Sequence, residues 1–224
     1  MIEFRCVSRA IAFPLKPDLS YMAYAYQLKL SAISNLSDAR FAAAAGINYI
    51  GFCFDTGSSD LIPPLKAKEI IDWTSGSHVV GEFGNQDMEE IKTIAELLQV
   101  DIVELDNAML PDELAAIEFP IIKVVDAAHF NAEQLQTELK AYQPHVQAFR
   151  LRNWEQLLLA ETTLLDAWKG QVFLELNENN SQTEQLLHQI KPFGISVHGG
   201  NEERVGLRDF DALNALLERL EVVE

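Results

Sequence analysis

From Leu28 onward, short runs of β-branched and aromatic residues alternate with longer stretches of helical periodicity. That rhythm marks a parallel sheet with crossover helices. The strand runs are LKLSAIS, NYIGFCF, HVVGEFGN, DIVELDN, PIIKVVDA, VQAFRLRN, QVFLELNE and GISVHGG. Helices are predicted between them over SDARFAAAAG, PLKAKEIIDW, DMEEIKTIAELLQ, LPDELAAI, NAEQLQTELKAY, NWEQLLLAETTLLDAW and SQTEQLLHQIKPF, with DFDALNALLERLEVV last. Eight βα units of this length predict an α/β chain folded as a (β/α)₈ TIM barrel over residues 28–224. Its functional groups then sit on the loops after the strand C-termini. The alternative is an open doubly wound sheet.

Residues 1–27 stand outside this rhythm and read as an N-terminal extension. Ile2, Phe4 and Cys6 alternate as in a strand, and Pro14 and Pro17 then interrupt it. The extension could cap the barrel floor or join a neighbouring subunit; translation starting at Met22 would remove most of it.

A chain of 224 residues, 48% apolar, suffices for one large core. The net charge of −17 argues against nucleic acid or an anionic membrane as partner, since both demand a positive surface. Cys6 and Cys53 form no disulfide framework and have no metal-spaced histidines nearby, so no metal site is expected and a reducing cytoplasm fits. The longest apolar runs, such as AIAFPL, fall far short of a bilayer span, and Glu3 sits where a signal sequence would be apolar.

The stretch GISVHGGNEERVGLRDFDAL resembles the final strand and loop of phosphoribosylanthranilate isomerases, V-x-V-S-S-G-V-E-x-x-P-G-x-K-D. Gly200, Glu202, Gly206, Arg208 and Asp209 take the motif positions, while Val205 replaces its proline and Ser196 the aspartate of V-D-V. LKLSAISNLSDARFAAAAGINYIGFCF is similar to the family's K-I-C-G-I-T opening, and VGEFGN to its third strand, V-G-V-F-V-N. The resemblance covers nearly everything from Leu28 to Leu220. It implies a TIM barrel, no cofactor, and an Amadori rearrangement of N-(5′-phosphoribosyl)anthranilate. In the family, a cysteine ending the first strand is the base and an aspartate ending the sixth is the acid.

Both positions are substituted here. Ser31 stands for the cysteine, and a serine hydroxyl needs a partner base at neutral pH. No histidine is expected at the end of an adjoining strand. Arg152 stands for the aspartate, and a guanidinium cannot give and retake a proton. Asp60 falls where the family's S-P-R arginine holds the anthranilate carboxylate, although a solvated loop residue is the simpler reading of it. The phosphate-binding A-G-G-L aligns with Glu175–Glu178, and the G-G-T-G loop is absent. Gly199 and Gly200 retain half of the phosphate cradle.

Period-two alternation puts Arg150 with Arg152, Glu104 with Asp106, and Glu175 with Asn177 on single strand faces. A mouth of alternating acidic and basic groups is expected, because charges taken into a barrel must be paired. Such carboxylates can hold Mg²⁺ only with a specific oxygen set, which spacing does not establish. The expectation is a divergent member of the family that binds a ligand or partner without the isomerase chemistry. The candidate ligand is a small anionic or phosphorylated metabolite, and a homodimer is open. The alternatives are an isomerase with rewired catalysis, or a different enzyme on the same barrel.

Overall fold

The computed structural model describes residues 24–168, 170–176, 183–199, 202–204, 207–208 and 211–220. Eight parallel strands are formed: β1 (Gln27–Ser31), β2 (Tyr49–Cys53), β3 (His78–Phe83), β4 (Ile102–Leu105), β5 (Ile121–Asp126), β6 (Ala148–Arg152), β7 (Val172–Leu176) and β8 (Gly194–His198). Each pairs with its neighbour in chain order, and β8 pairs with β1 from Gln27↔Gly194 to Ser31↔His198. The ring is closed, which rules out the open doubly wound sheet.

The helices are α1 (Leu36–Ala44), α2 (Pro64–Asp72), α3 (Met88–Leu98), α4 (Pro111–Leu114), α5 (Ala132–Tyr142), α6 (Glu155–Ala160), α7 (Thr183–Ile190) and α8 (Asp211–Leu220). Their starts follow local chemistry. Asn35 and Asp87 accept from the backbone amides of Asp38 and Glu90, and Asn131 forms a reciprocal capping box with Gln134. In α3, Ile91, Ile94, Ala95 and Leu98 recur on one face, and all four are buried.

Two expectations are corrected. The single helix expected over Asn153–Trp168 breaks after Ala160, and a 3₁₀ turn follows at Asp166–Trp168. Thr162 and Thr163, β-branched and weak in helices, lie at the break, and Leu164, Leu165 and Trp168 turn inward there instead. The loop after β8 also carries an unforeseen antiparallel pair, β9 (Glu202–Arg204) with β10 (Leu207–Arg208).

The expected extension shifts at its boundary. Gln27 already belongs to β1, Tyr24 and Tyr26 are buried in the core, and the Ala25 amide donates to Leu220 O at 3.4 Å. Residues 1–23 lie outside the described residues. No described helix is long and apolar enough to cross a membrane.

Alternation along the strands sorts side chains into two shells. Leu30, Phe52, Val103, Phe149, Leu174 and Ile195 face outward and pack under the helices in the main core. Tyr49, Val80, Ile102, Ile122, Ala148 and Phe173 face inward and plug the barrel floor as a separate apolar cluster. The edge of Tyr49 meets Phe173 at 5.5 Å between ring centroids.

Candidate functional site at the barrel mouth

Two residues further along most of the strands, the inward positions change character, β5 keeping the apolar Val124 there. Lys29 lies above the floor with no exposed surface. Its ammonium donates to Ser31 Oγ at 2.6 Å and Glu82 Oε1 at 2.5 Å, and lies 3.0 Å from Glu104 Oε2. The second Glu82 oxygen accepts from the Ala32 amide at 3.2 Å. Gly51 makes this possible: a Cβ there would sit 2.0 Å from Glu82 Oε1. Ala32 pays for the turn out of β1 with a left-handed backbone, φ 59°.

Arg150 continues the layer. Its Nη2 lies 2.8 Å from Glu104 Oε1, and its Nη1 pairs with Glu175 Oε2. Burial pushes Glu104 up, but Arg150 and Lys29 outweigh it and hold the carboxyl below the usual carboxylate range. Burial likewise opposes the Arg150 charge, and Glu104 and Glu175 reverse that and raise the guanidinium. At the rim, Arg152 grips Asp106 with both Nη atoms, at 2.8 and 3.2 Å. Arg150, Arg152, Glu104, Asp106 and Glu175 are thus all placed inward, as a buried network from Glu82 through Lys29, Glu104 and Arg150 to Glu175 and a separate Arg152–Asp106 pair at the rim. Asn177 and Gly200 lie outside the described residues.

Ser31, the residue expected at the base position, is hemmed in. Besides the Lys29 ammonium, its Oγ lies 3.3 Å from Ser196 Oγ. An ammonium between two carboxylates takes no proton from serine, so Ser31 gains no base from Lys29. One expectation fails outright, because His198 ends the adjoining strand β8 in register with Ser31. Asp60 is not a free loop residue either, since its Oδ2 lies 2.8 Å from His198 Nε2. The other ring nitrogen, Nδ1, lies 2.7 Å from Gly199 O. Both ring nitrogens thus lie within hydrogen-bond distance of oxygen atoms. The Gly199 amide, one of the two glycines expected to cradle phosphate, donates to Ser31 O at 3.0 Å.

The cavity enclosed by these groups measures about 190 Å³, below the range of about 300–1,000 Å³ usual for drug-sized ligands. Cys53, Asp55 and Ser58 complete the wall on the β2 side. Burial, reinforced by Glu82 and Asp60, pushes the Cys53 thiol up against hydrogen bonds to Ser58 and Asp55, which disfavours its thiolate. No group of three or more His, Cys, Asp or Glu among the described residues is placed to hold a metal ion.

Sequence reasoning missed Lys29, Glu82, Asp55, Cys53 and His198. Lys29 and Glu82 left a signal, as single charges on the inward face of otherwise apolar strands. His198 left a plainer one, two positions after the inward Ser196.

The model of the N-(5′-phosphoribosyl)anthranilate isomerase family matches residues 28–149, more than half of the chain. The chain belongs to the phosphoribosylanthranilate isomerase family. An N-(5′-phosphoribosyl)anthranilate isomerase of Syntrophus aciditrophicus is 29% identical over 203 residues, covering 85% of each chain. A solved phosphoribosyl anthranilate isomerase in complex with reduced 1-(o-carboxyphenylamino)-1-deoxyribulose 5-phosphate superposes with a TM-score of 0.71 at 24% identity, covering 87% of this chain and 98% of that one. A monomeric form of the dimeric isomerase of Thermotoga maritima gives 0.70 at 24%, with the same coverage. At that identity the solved structures speak for the fold, and the (β/α)₈ barrel is common to all of them.

Proposed function

We propose that this family member binds a small polar ligand in its barrel mouth and does not carry out the family's rearrangement in tryptophan biosynthesis. The observation that carries the reading is the state of the two catalytic positions. Ser31 is held by an ammonium and Arg152 is forked onto Asp106. A rearrangement that opens a sugar ring needs an acid and a base free to exchange protons, each worth ~10²–10⁴ in rate. Neither position supplies one. The electrostatics agree, for the substrate brings a phosphate and a carboxylate into a wall bearing Asp55, Asp60 and Glu82.

The test is direct. Purified protein incubated with phosphoribosylanthranilate is expected to leave the substrate's fluorescence undiminished. Steady loss of fluorescence, abolished by Ser31→Ala, would overturn the proposal. A second reading, an isomerase or other enzyme with rewired chemistry, draws on His198 beside Ser31; turnover lost in His198→Ala but kept in Ser31→Ala would favour it.

Cytoplasmic location, an appended N-terminal segment and a homodimer belong to the same proposal. The dimer is supported by the Thermotoga maritima relative and is checked by sedimentation.

A further inference from the structure

We infer that the loop after β4, residues 106–110, is a gate at the barrel mouth, and that the buried Lys123 ammonium beneath it drives the gate open. The purpose of such a gate rests on the ligand-binding reading above, because opening frees a residue of that cavity. Its mechanics do not depend on the ligand.

The loop leaves β4 at Leu105 and ends where Pro111 starts α4, a helix of four residues. Its first residue, Asp106, lines the cavity and holds both Nη atoms of Arg152, which lines the cavity too. Little apolar surface fastens the loop, for Ala108 and Leu110 are exposed and Met109 is half-buried. Its ties are polar. The Asp106 amide donates to Phe83 O at 2.8 Å, the Leu110 amide to Glu113 Oε2 at 2.6 Å, and the Tyr142 hydroxyl to Met109 O at 2.9 Å.

Lys123 adds a further tie and opposes it at once. It lies on the outward face of β5, between the inward Ile122 and Val124, and is only 5% exposed. Its ammonium donates to Asn107 O at 2.5 Å and Leu105 O at 3.4 Å, and lies 5.6 Å from the centre of the Tyr142 ring. No described carboxylate forms an ion pair with it. Burial holds the ammonium below its ordinary range; Asp106 and Glu138 pull it back from farther away, and Arg152 pushes it down again.

Two more groups here are short of partners. Asn107 Nδ2 and Arg152 Nε are buried, and neither meets an acceptor among the described residues. Buried charges and donors without partners favour whatever returns them to water. When the loop lifts, the Lys123 ammonium and the Asn107 amide are hydrated, and Asp106 leaves the Arg152 fork facing the cavity. In the open loop the amine returns to its ordinary range, near ~10.4. Its value is lower in the closed loop, so protons favour the open form and alkali closes it. Burial, with Glu138 and Glu113, pushes the neighbouring Tyr142 phenol up, so it does not titrate ahead of Lys123.

Relaxation dispersion of the Met109 methyl in the full-length protein, from about pH 7 to about pH 10, reads the open population. In the wild type that population is expected to fall about threefold or more as the pH rises. Lys123→Gln, which keeps a donor and drops the charge, should open less at neutral pH and show no such fall. An open population that rises with pH, or an equal fall in Lys123→Gln, would overturn the role of Lys123. Should that variant fail to fold, the Lys123 side-chain resonance of the wild type decides instead. It must titrate in step with the fall, and a midpoint at the ordinary lysine value would overturn the proposal. Absence of dispersion at Met109 at every pH would overturn the gate itself and leave the ligand-binding reading standing.

Discussion

Two layers of the barrel interior, one inward position apart, obey opposite rules. The floor, from Tyr49 to Phe173, is apolar and buried. The layer above it, from Lys29 to Arg150 and Glu175, is largely buried and dominated by ion pairs. In the floor, stability comes from area removed from water, and a side chain can be traded for another of similar volume at modest cost. In the layer above, no residue is stable alone. Each charge is tolerable only because its neighbour answers it, so truncation costs far more there than the contact itself contributes.

The sharpest way to break the comparison is at Lys29. Lys29→Met keeps the length of the side chain and removes its charge, leaving Glu82 and Glu104 without their shared ammonium. Chemical denaturation should show a loss of about 3–5 kcal/mol. Phe173→Leu in the floor should cost less, about 1 kcal/mol. Equal losses would mean that the ionic layer is no more interdependent than the floor.

Acid should find the ionic layer first. The folded state holds Glu104 below its ordinary range, near ~4.3 in an unfolded chain. A depressed folded value adds stability that is fully present above the unfolded value and is lost as pH falls through the folded one. Melting temperatures should therefore hold from neutral pH to about pH 5 and fall steeply below ~4. In Glu104→Gln the fall should be shallower, from a lower starting point.

Gly51→Ala sharpens the geometry. The new methyl occupies the space of the Glu82 carboxylate and should push it off Lys29, costing about 1–3 kcal/mol without adding bulk anywhere in the floor. A neutral result would show that Glu82 has another berth. The smallest effect is expected at Ala32, whose φ of 59° glycine adopts freely. Ala32→Gly should stabilise the protein by at most about 1 kcal/mol in thermal or urea melts, since relief of the left-handed strain is partly offset by a looser unfolded chain.

The barrel itself was legible because strand and helix periodicities are local. All eight strands fall within a few residues of the runs read from the pattern, and Arg150 and Arg152 face inward as alternation requires. The failures were non-local. The helix after β6 broke where Leu164, Leu165 and Trp168 found core positions, a tertiary gain that outweighs helical propensity. His198 was overlooked beside Ser31 because the two are 167 positions apart and meet only when β8 closes onto β1.

By itself, the sequence determined the fold and the family, since each is written in residue identity and spacing. Only the tertiary structure decided which charges meet. Lys29, Glu82 and Glu104 come from three different strands, and their pairing depends on the register of a closed ring and on the space left by Gly51. Pair energies depend on distance and on exclusion of water, and neither exists until the barrel closes.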